Sequence, residues 1–154
     1  TLRKVIADVT ADTMEQSNYY CSLLIGGQIG AEPMQLYNIY PQGNFISATK
    51  DTPFFQIGES KYGKPILDRA LSYDMPIDEA LRCSLISFDS TLRSNVSVGM
   101  PLDMLVYKKN SLKVPKGKRI HESDEYFEEI SKQWSETLKK GLQELPKPTQ
   151  DYFD

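Results

Sequence analysis

Gly58, Lys61, Gly63 and Lys64 fall within "GESKYGKP", ahead of a helix-like stretch. Glycines mixed with lysines at such a place can cradle a phosphate, hold an extended peptide or merely turn the chain. A phosphate loop needs glycines at set offsets followed directly by Lys and then Ser or Thr, so that backbone N–H groups and one ammonium converge on the anion. Here no hydroxyl follows Lys64, and Pro65 removes an N–H donor that the helix start would offer. The spacing therefore argues against phosphate. A second polar group, "DSTLRSNVSVG", gathers Ser90, Thr91, Ser94 and Ser97 with Asp89, Arg93 and Asn95 between a helix and a strand. Such residues cap helix ends and turns, or present oriented hydroxyls to a neighbouring nucleophile. No histidine or cysteine stands close enough in sequence to build a charge relay with them. His121, the single histidine, precedes a capping serine in a charged stretch and reads as a solvated surface residue. Cys21 and Cys83 are too far apart for metal-ligand spacing and read as buried thiols, so neither a metal nor a cofactor is expected.

The chain that must position these groups has 154 residues, enough for one domain and too few for two ordinary ones. With 40% hydrophobic and 25% charged residues and a net charge of −3, nothing favours nucleic acid or an anionic membrane as partner. No apolar run approaches the ~20 residues that span a bilayer, and "TLRKVIADVT" lacks the apolar segment of a secretory signal. A soluble, cytoplasmic protein is the expectation.

Leu2, Val5, Ile6 and Val9 recur at helical spacing, so residues 1 to about 16 are expected to form a helix, one without an obvious cap. "YYCSLLIGG" and "MQLYNIY" read as a hairpin, and "YPQGN" as a turn into the short strand "FISA". A helix follows from about Ser60 to Ser72. "DMPIDEALRCSLISFDSTLR" is the clearest helix, capped by Asp74 or Met75, with Ile77, Ala80, Leu81, Leu85, Phe88 and Leu92 on one face. "PLDMLVYKK" reads as a strand and "SLKVPKGKRI" as an exposed basic connector. The last helix has Ser123 as N-cap, acidic residues in its first turn, and a stripe of Phe127, Ile130, Trp134, Leu138 and Leu142 that must cover a core or a neighbouring subunit. Residues 143–154 read as an irregular tail. Antiparallel strands and helices in segregated runs indicate α+β.

The blocks "IGESKYGKPILDR" and "SFDSTLRSNVSVGMPLDMLVY" resemble those of bacterial proteasome-type peptidases, most closely the group called Anbu, for ancestral beta subunit. The likeness continues through "LLIGGQIGAEPMQLYNIYPQGNFISATKDTPFFQ" and "YFEEISKQWSETLKKGLQEL", and so spans nearly the entire chain in order. The resemblance implies a four-layer αββα sandwich of the N-terminal nucleophile hydrolase type. Its nucleophile is an N-terminal threonine whose α-amino group accepts the proton, tuned by an aspartate and a lysine. Peptide or protein substrates add a strand beside the site, and subunits assemble into homo-oligomeric rings or spirals.

In that family the threonine opens a strand, whereas Leu2, Arg3, Lys4 and Val5 here open a helix, and residues 1 to 16 resemble the family's second helix. Residues 1–154 are therefore expected to be the C-terminal portion of one domain, with the first strands and the nucleophile upstream and the fragment inactive alone. Glu59 stands where the family carries a serine. Glu59 and Ser60 are expected to face the substrate cleft. Ser97 fits a later serine and Ser94 replaces an aspartate, or, with the register shifted by one, Asn95 takes that place. In the usual mechanism these groups orient the threonine amine and a water. Two rivals stand beside the threonine peptidase: a non-proteolytic scaffold of the same fold, and an amidase or transferase acting on a small peptide.

Overall fold

The runs "LLIGG" and "QLYNI" pair as the hairpin of β1 (Leu23–Gly27) and β2 (Gln35–Ile39), and β3 (Phe45–Ser47) adds to the far side of β2. The computed structural model describes Lys4 and residues 21–154; apart from Lys4, which is helical, the helix expected over residues 1 to 16 lies outside the described residues, as does Thr1. Both pairings are antiparallel, with Ile25 opposite Tyr37 and Ile39 opposite Phe45. The turn is the one the sequence predicts. Gly43 donates its N–H to the Tyr40 carbonyl at 2.8 Å with φ of +81°, a backbone conformation that glycine adopts without a steric cost. Tyr37 and Phe45 lock the sheet's aromatic corner edge to face at 5.6 Å.

The chain then turns at Gly58, also left-handed at φ +78°, into α1 (Lys64–Ala70). Gly63 is the N-cap residue and Pro65 occupies the first turn, where its missing N–H would have had no helical partner. Gly63 is buried because α1 sits on α2 (Ile77–Ser94). A Cβ on Gly63 would lie 2.9 Å from the Ser87 carbonyl oxygen and closer still to the Ser87 hydroxyl. Only glycine fits.

α2 differs from its expected form in two ways. Its N-cap is Pro76 itself, with no side-chain cap, instead of Asp74 or Met75. Its buried residues are Cys83, Leu85, Ser87, Asp89 and Thr91, while Ile77 and Phe88 of the expected apolar face are 54% and 48% exposed. The helix is covered along one side and open along another. Thr91 spends its hydroxyl proton on the Ser87 carbonyl at 2.9 Å, so burial leaves that polar group satisfied.

Beyond α2, only Leu102–Met104 of the expected long strand is extended, as β4. The supposed basic connector supplies its partner: Lys118–Ile120 is β5, antiparallel to β4. A cross-strand ion pair explains the register, since Arg119 donates to both oxygens of Asp103 at 2.7 and 2.8 Å. That guanidinium holds the Asp103 carboxyl below the usual carboxylate range.

The last helix, α3 (Glu125–Glu144), is capped by Asp124 and not by Ser123. The Asp124 carboxylate accepts the Phe127 N–H at 3.0 Å and pairs with Lys118 at 2.8 Å, two donors that a serine in the exposed preceding position does not reach. Lys118 first, and the Phe127 N–H second, hold its carboxyl below the ordinary value.

The core joins α2, α3 and the β4–β5 pair through Leu85, Ile120 and Phe127, with Leu81, Leu92, Met104 and Ile130 packed around them. Arg93 ties the two helices by a polar route, donating to Asp89 at 3.1 Å and to Ser131 at 2.7 Å. Gln28 joins the hairpin to a distant loop, exchanging hydrogen bonds with the Asn110 side chain at 2.8 Å and its N–H at 2.7 Å. The mixed helices and antiparallel strands make the protein α+β.

Much apolar surface stays open. The chain exposes 12284 Å², against roughly 7,900 Å² for a compact domain of its mass. Leu138 and Leu142 along the far half of α3 are 53% and 72% exposed, and Leu145 just past its end 62%, so the expected stripe reaches the core through Phe127 and Ile130.

Three outcomes follow from these contacts. Gly63→Ala lowers stability by about 1–3 kcal/mol through overpacking against Ser87, read by urea denaturation. Gly141→Ala, in an exposed helix interior where a new Cβ meets nothing, raises it by about 1 kcal/mol in the same assay. Asp124→Ala lowers stability at neutral pH. Because the folded carboxyl titrates below its ordinary value, that contribution is present above about pH 4 and fades as pH falls through the folded value. Denaturation midpoints of wild type and variant therefore converge on acidification.

Candidate functional site

The corner after Gly58 and the exit of α2 meet at Glu59. One carboxylate oxygen accepts the Lys61 N–H at 2.9 Å, and the other accepts the Asn95 side-chain N–H at 2.8 Å. Asn95 closes α2, its own N–H bonded to the Thr91 carbonyl at 2.9 Å. Its side-chain oxygen accepts twice from Ser97: from the backbone N–H at 2.9 Å and from the hydroxyl at 2.6 Å. Three of the residues singled out in the sequence, Glu59, Asn95 and Ser97, thus form one hydrogen-bonded row across 36 residues of chain.

Ser60 and Ser94 do not join that row among the described residues. Ser60 contributes its carbonyl, which accepts the Lys64 N–H at 2.9 Å where α1 begins. Ser94 is the exposed last residue of α2. His121 is exposed at the end of β5, and Cys83 is buried, which pushes its thiol up and away from a reactive thiolate. Lys64 is taken up by Asp68 one turn along α1. The "GKP" lysine is therefore a helix-surface ion pair. Among the described residues, no group of three or more His, Cys, Asp or Glu is placed to hold a metal ion.

Glu59 lies at the rim of a cavity of about 490 Å³ between residues 54–59, α1 and α2. Phe54, Phe55, Leu67 and Phe88 supply its apolar wall, while Ser87 and Thr91 form a polar strip on the α2 side. Gln56 also lines it, with a buried side-chain oxygen lacking a hydrogen-bond partner. A second cavity of about 380 Å³ flanks α2 on its other side, walled by Ile77, Leu81, Phe88, Met104 and Tyr107. Ser87 and Gln56 were not singled out from sequence, and Thr91 only as one of a hydroxyl-rich group. The i, i+4 spacing of Ser87 and Thr91 on α2, opposite Gly63, is the signal that marks them as a buried polar strip.

Residues 2–106 match the profile of the proteasome subunit family. The fold is shared with solved structures of Anbu. Over 97% of its length the chain is 55% identical to the subunit in a helical assembly of the Anbu complex from Pseudomonas aeruginosa, with a TM-score of 0.87, and it covers 62% of that subunit. Anbu from Yersinia bercovieri is 52% identical over 96% of the chain, with a TM-score of 0.88 and 61% of that protein covered. For Anbu from Hyphomicrobium sp. strain MC1 the values are 38% identity over 96% of the chain, a TM-score of 0.82 and 75% of that protein covered. No curated protein matches the chain. The chain belongs to the proteasome subunit family, in its Anbu (ancestral beta-subunit) group. It spans about three fifths of the length of the first two Anbu proteins.

Replacing Asn95 by alanine removes both ends of the row at once. Asn95→Ala lowers stability by about 1–2 kcal/mol, the cost of leaving half-buried polar groups without their partner, as measured by urea denaturation.

Proposed function

We propose that the chain forms part of a threonine-type, proteasome-like amide hydrolase whose attacking hydroxyl belongs to an N-terminal threonine outside these 154 residues. The Glu59–Asn95–Ser97 row carries the reading: a chain with the Anbu fold places an oriented hydroxyl and amide at a corner beside a cavity. The open apolar grooves along both sides of α2, and the three-fifths coverage of Anbu subunits, support its being one portion of a larger subunit. In this scheme the threonine hydroxyl attacks the amide carbonyl, and its proton passes to the threonine's own amine. The tetrahedral intermediate collapses to an ester with loss of the amine product, and water then hydrolyses the ester. Ser97, held by Asn95, steadies the amine end, with Ser94 beside it. Glu59 and Ser60 border the cleft that receives the peptide substrate. No helix among the described residues is long and apolar enough to cross a membrane.

A second reading is favoured by a separate observation, the exposed Leu138 and Leu142 on α3 and Leu145 just past its end. These suit burial against another copy in a homo-oligomeric ring or spiral, and the fold then serves as a self-assembling scaffold, with or without hydrolysis.

Both readings are tested on the full-length protein. Cleavage of fluorogenic peptide amides, abolished when the N-terminal threonine is changed to alanine, is the result expected of the hydrolase. A full-length protein that assembles but cleaves nothing leaves the scaffold. Sedimentation as a multimer, shifted to smaller species by Leu142→Glu, is expected on either reading, and a strictly monomeric protein counts against both.

A further inference from the structure

We propose that Glu59 is a positioning residue that sets the direction of the hydrogen bonds through Asn95 to Ser97, so that the Ser97 hydroxyl faces outward only as an acceptor. The inference deepens the hydrolase reading and rests on it. Its basis is donor and acceptor chemistry at each atom. The Ser97 backbone N–H can only donate, so the Asn95 atom 2.9 Å from it must be the oxygen. The Asn95 nitrogen then faces the other way, to a carboxylate oxygen of Glu59 at 2.8 Å that accepts it. The second carboxylate oxygen is fixed by the Lys61 N–H at 2.9 Å. Both of its oxygens are engaged within the chain, which makes Glu59 the anchor of the row.

The consequence falls on Ser97. Its one proton is committed to the Asn95 oxygen at 2.6 Å, which leaves the lone pairs of an exposed hydroxyl free. Such a group recognises a hydrogen-bond donor, and a primary amine is the donor that the hydrolase reading places there. Without the carboxylate, the Asn95 amide keeps only the Ser97 side of its hold, on a torsion that is by itself broad and nearly two-fold. A turn of the amide would aim its N–H groups at the Ser97 N–H and release the Ser97 proton outward. The hydroxyl would then turn its proton outward and keep one lone pair in place of two for an incoming donor. The surrounding backbone resists other adjustments, because Gly58 sets the corner and the Asn95 N–H is fixed on Thr91.

The test compares full-length wild type with Glu59→Ala and Glu59→Gln by amide hydrogen exchange and by peptide-amide hydrolysis. Gln can still accept from Asn95, but it loses the acceptor for the Lys61 N–H if its amide keeps that orientation. Exchange of the Ser97 N–H is expected to accelerate about ten-fold or more in Glu59→Ala and much less in Glu59→Gln, with Leu85 in the core unchanged. In the same variants kcat is expected to fall about ten-fold or more for alanine, with partial rescue by glutamine and KM within about two-fold. Ser97 exchange that does not change in Glu59→Ala overturns the proposal, as does acceleration spread equally to Leu85 in both variants. Accelerated exchange with unchanged kcat overturns the positioning role. A wild type that hydrolyses nothing sinks the hydrolase reading alone, and the exchange comparison still decides for or against Glu59 as the anchor.

Discussion

Gly63 lays its bare Cα against Ser87 and Thr91 of α2, at a distance that no side chain could tolerate. That close approach fixes where α1 begins, and with it the corner from Gly58 to Lys61. Glu59 reaches Asn95 because the corner and the exit of α2 are held at this separation. The polar strip on α2 has the same origin. Ser87 and Thr91 are small enough to admit the glycine, and the Thr91 hydroxyl turns inward onto its own helix, which satisfies that buried donor. A larger apolar pair would fill the space and push α1 away.

α2 is the element around which everything else is arranged. Leu85 joins it to Ile120 and Phe127 in the core, Arg93 links it to α3 through Ser131, and its last turn delivers Asn95. Its other flanks face open cavities of about 380 and 490 Å³. The same division marks α3, whose first half is packed and whose second half carries exposed leucines. Each helix thus has one settled face and one unsettled face. Burial of roughly 25 cal/mol per Å² of apolar area rewards covering the latter, which accords with a role in a larger, assembled structure.

The elements with strong local signals were legible in the sequence: the hairpin, the Pro41–Gly43 turn from β2 into β3, and the two long helices. The misreadings have local causes. β5 was hidden because Lys118, Arg119 and Pro115 before them look like a solvated connector, whereas the strand is secured by Arg119 reaching Asp103 across the ladder. The cap of α3 went to Asp124 because it has a second partner in Lys118, which no local rule weighs. The polar strip of α2 was masked by a stronger apolar pattern on the other face, where Phe88 and Ile77 turn out to be exposed. The tie from Gln28 to Asn110 spans 82 residues and has no sequence signature at all.

For the candidate site, the types of residue and the two segments that carry them were set by the sequence alone. Glycine at 58 and 63, an acid at 59, and hydroxyl and amide groups at 94–97 are chemical choices that the chain carries wherever it folds. What the tertiary structure decided is which of them meet. Asn95, not Ser94, turns toward Glu59, because the last turn of α2 is bonded through Thr91 and leaves position 94 on the solvent side. Direction along a hydrogen-bonded row depends on which donors lie within about 3 Å, and that is a property of packing between segments that no linear spacing encodes.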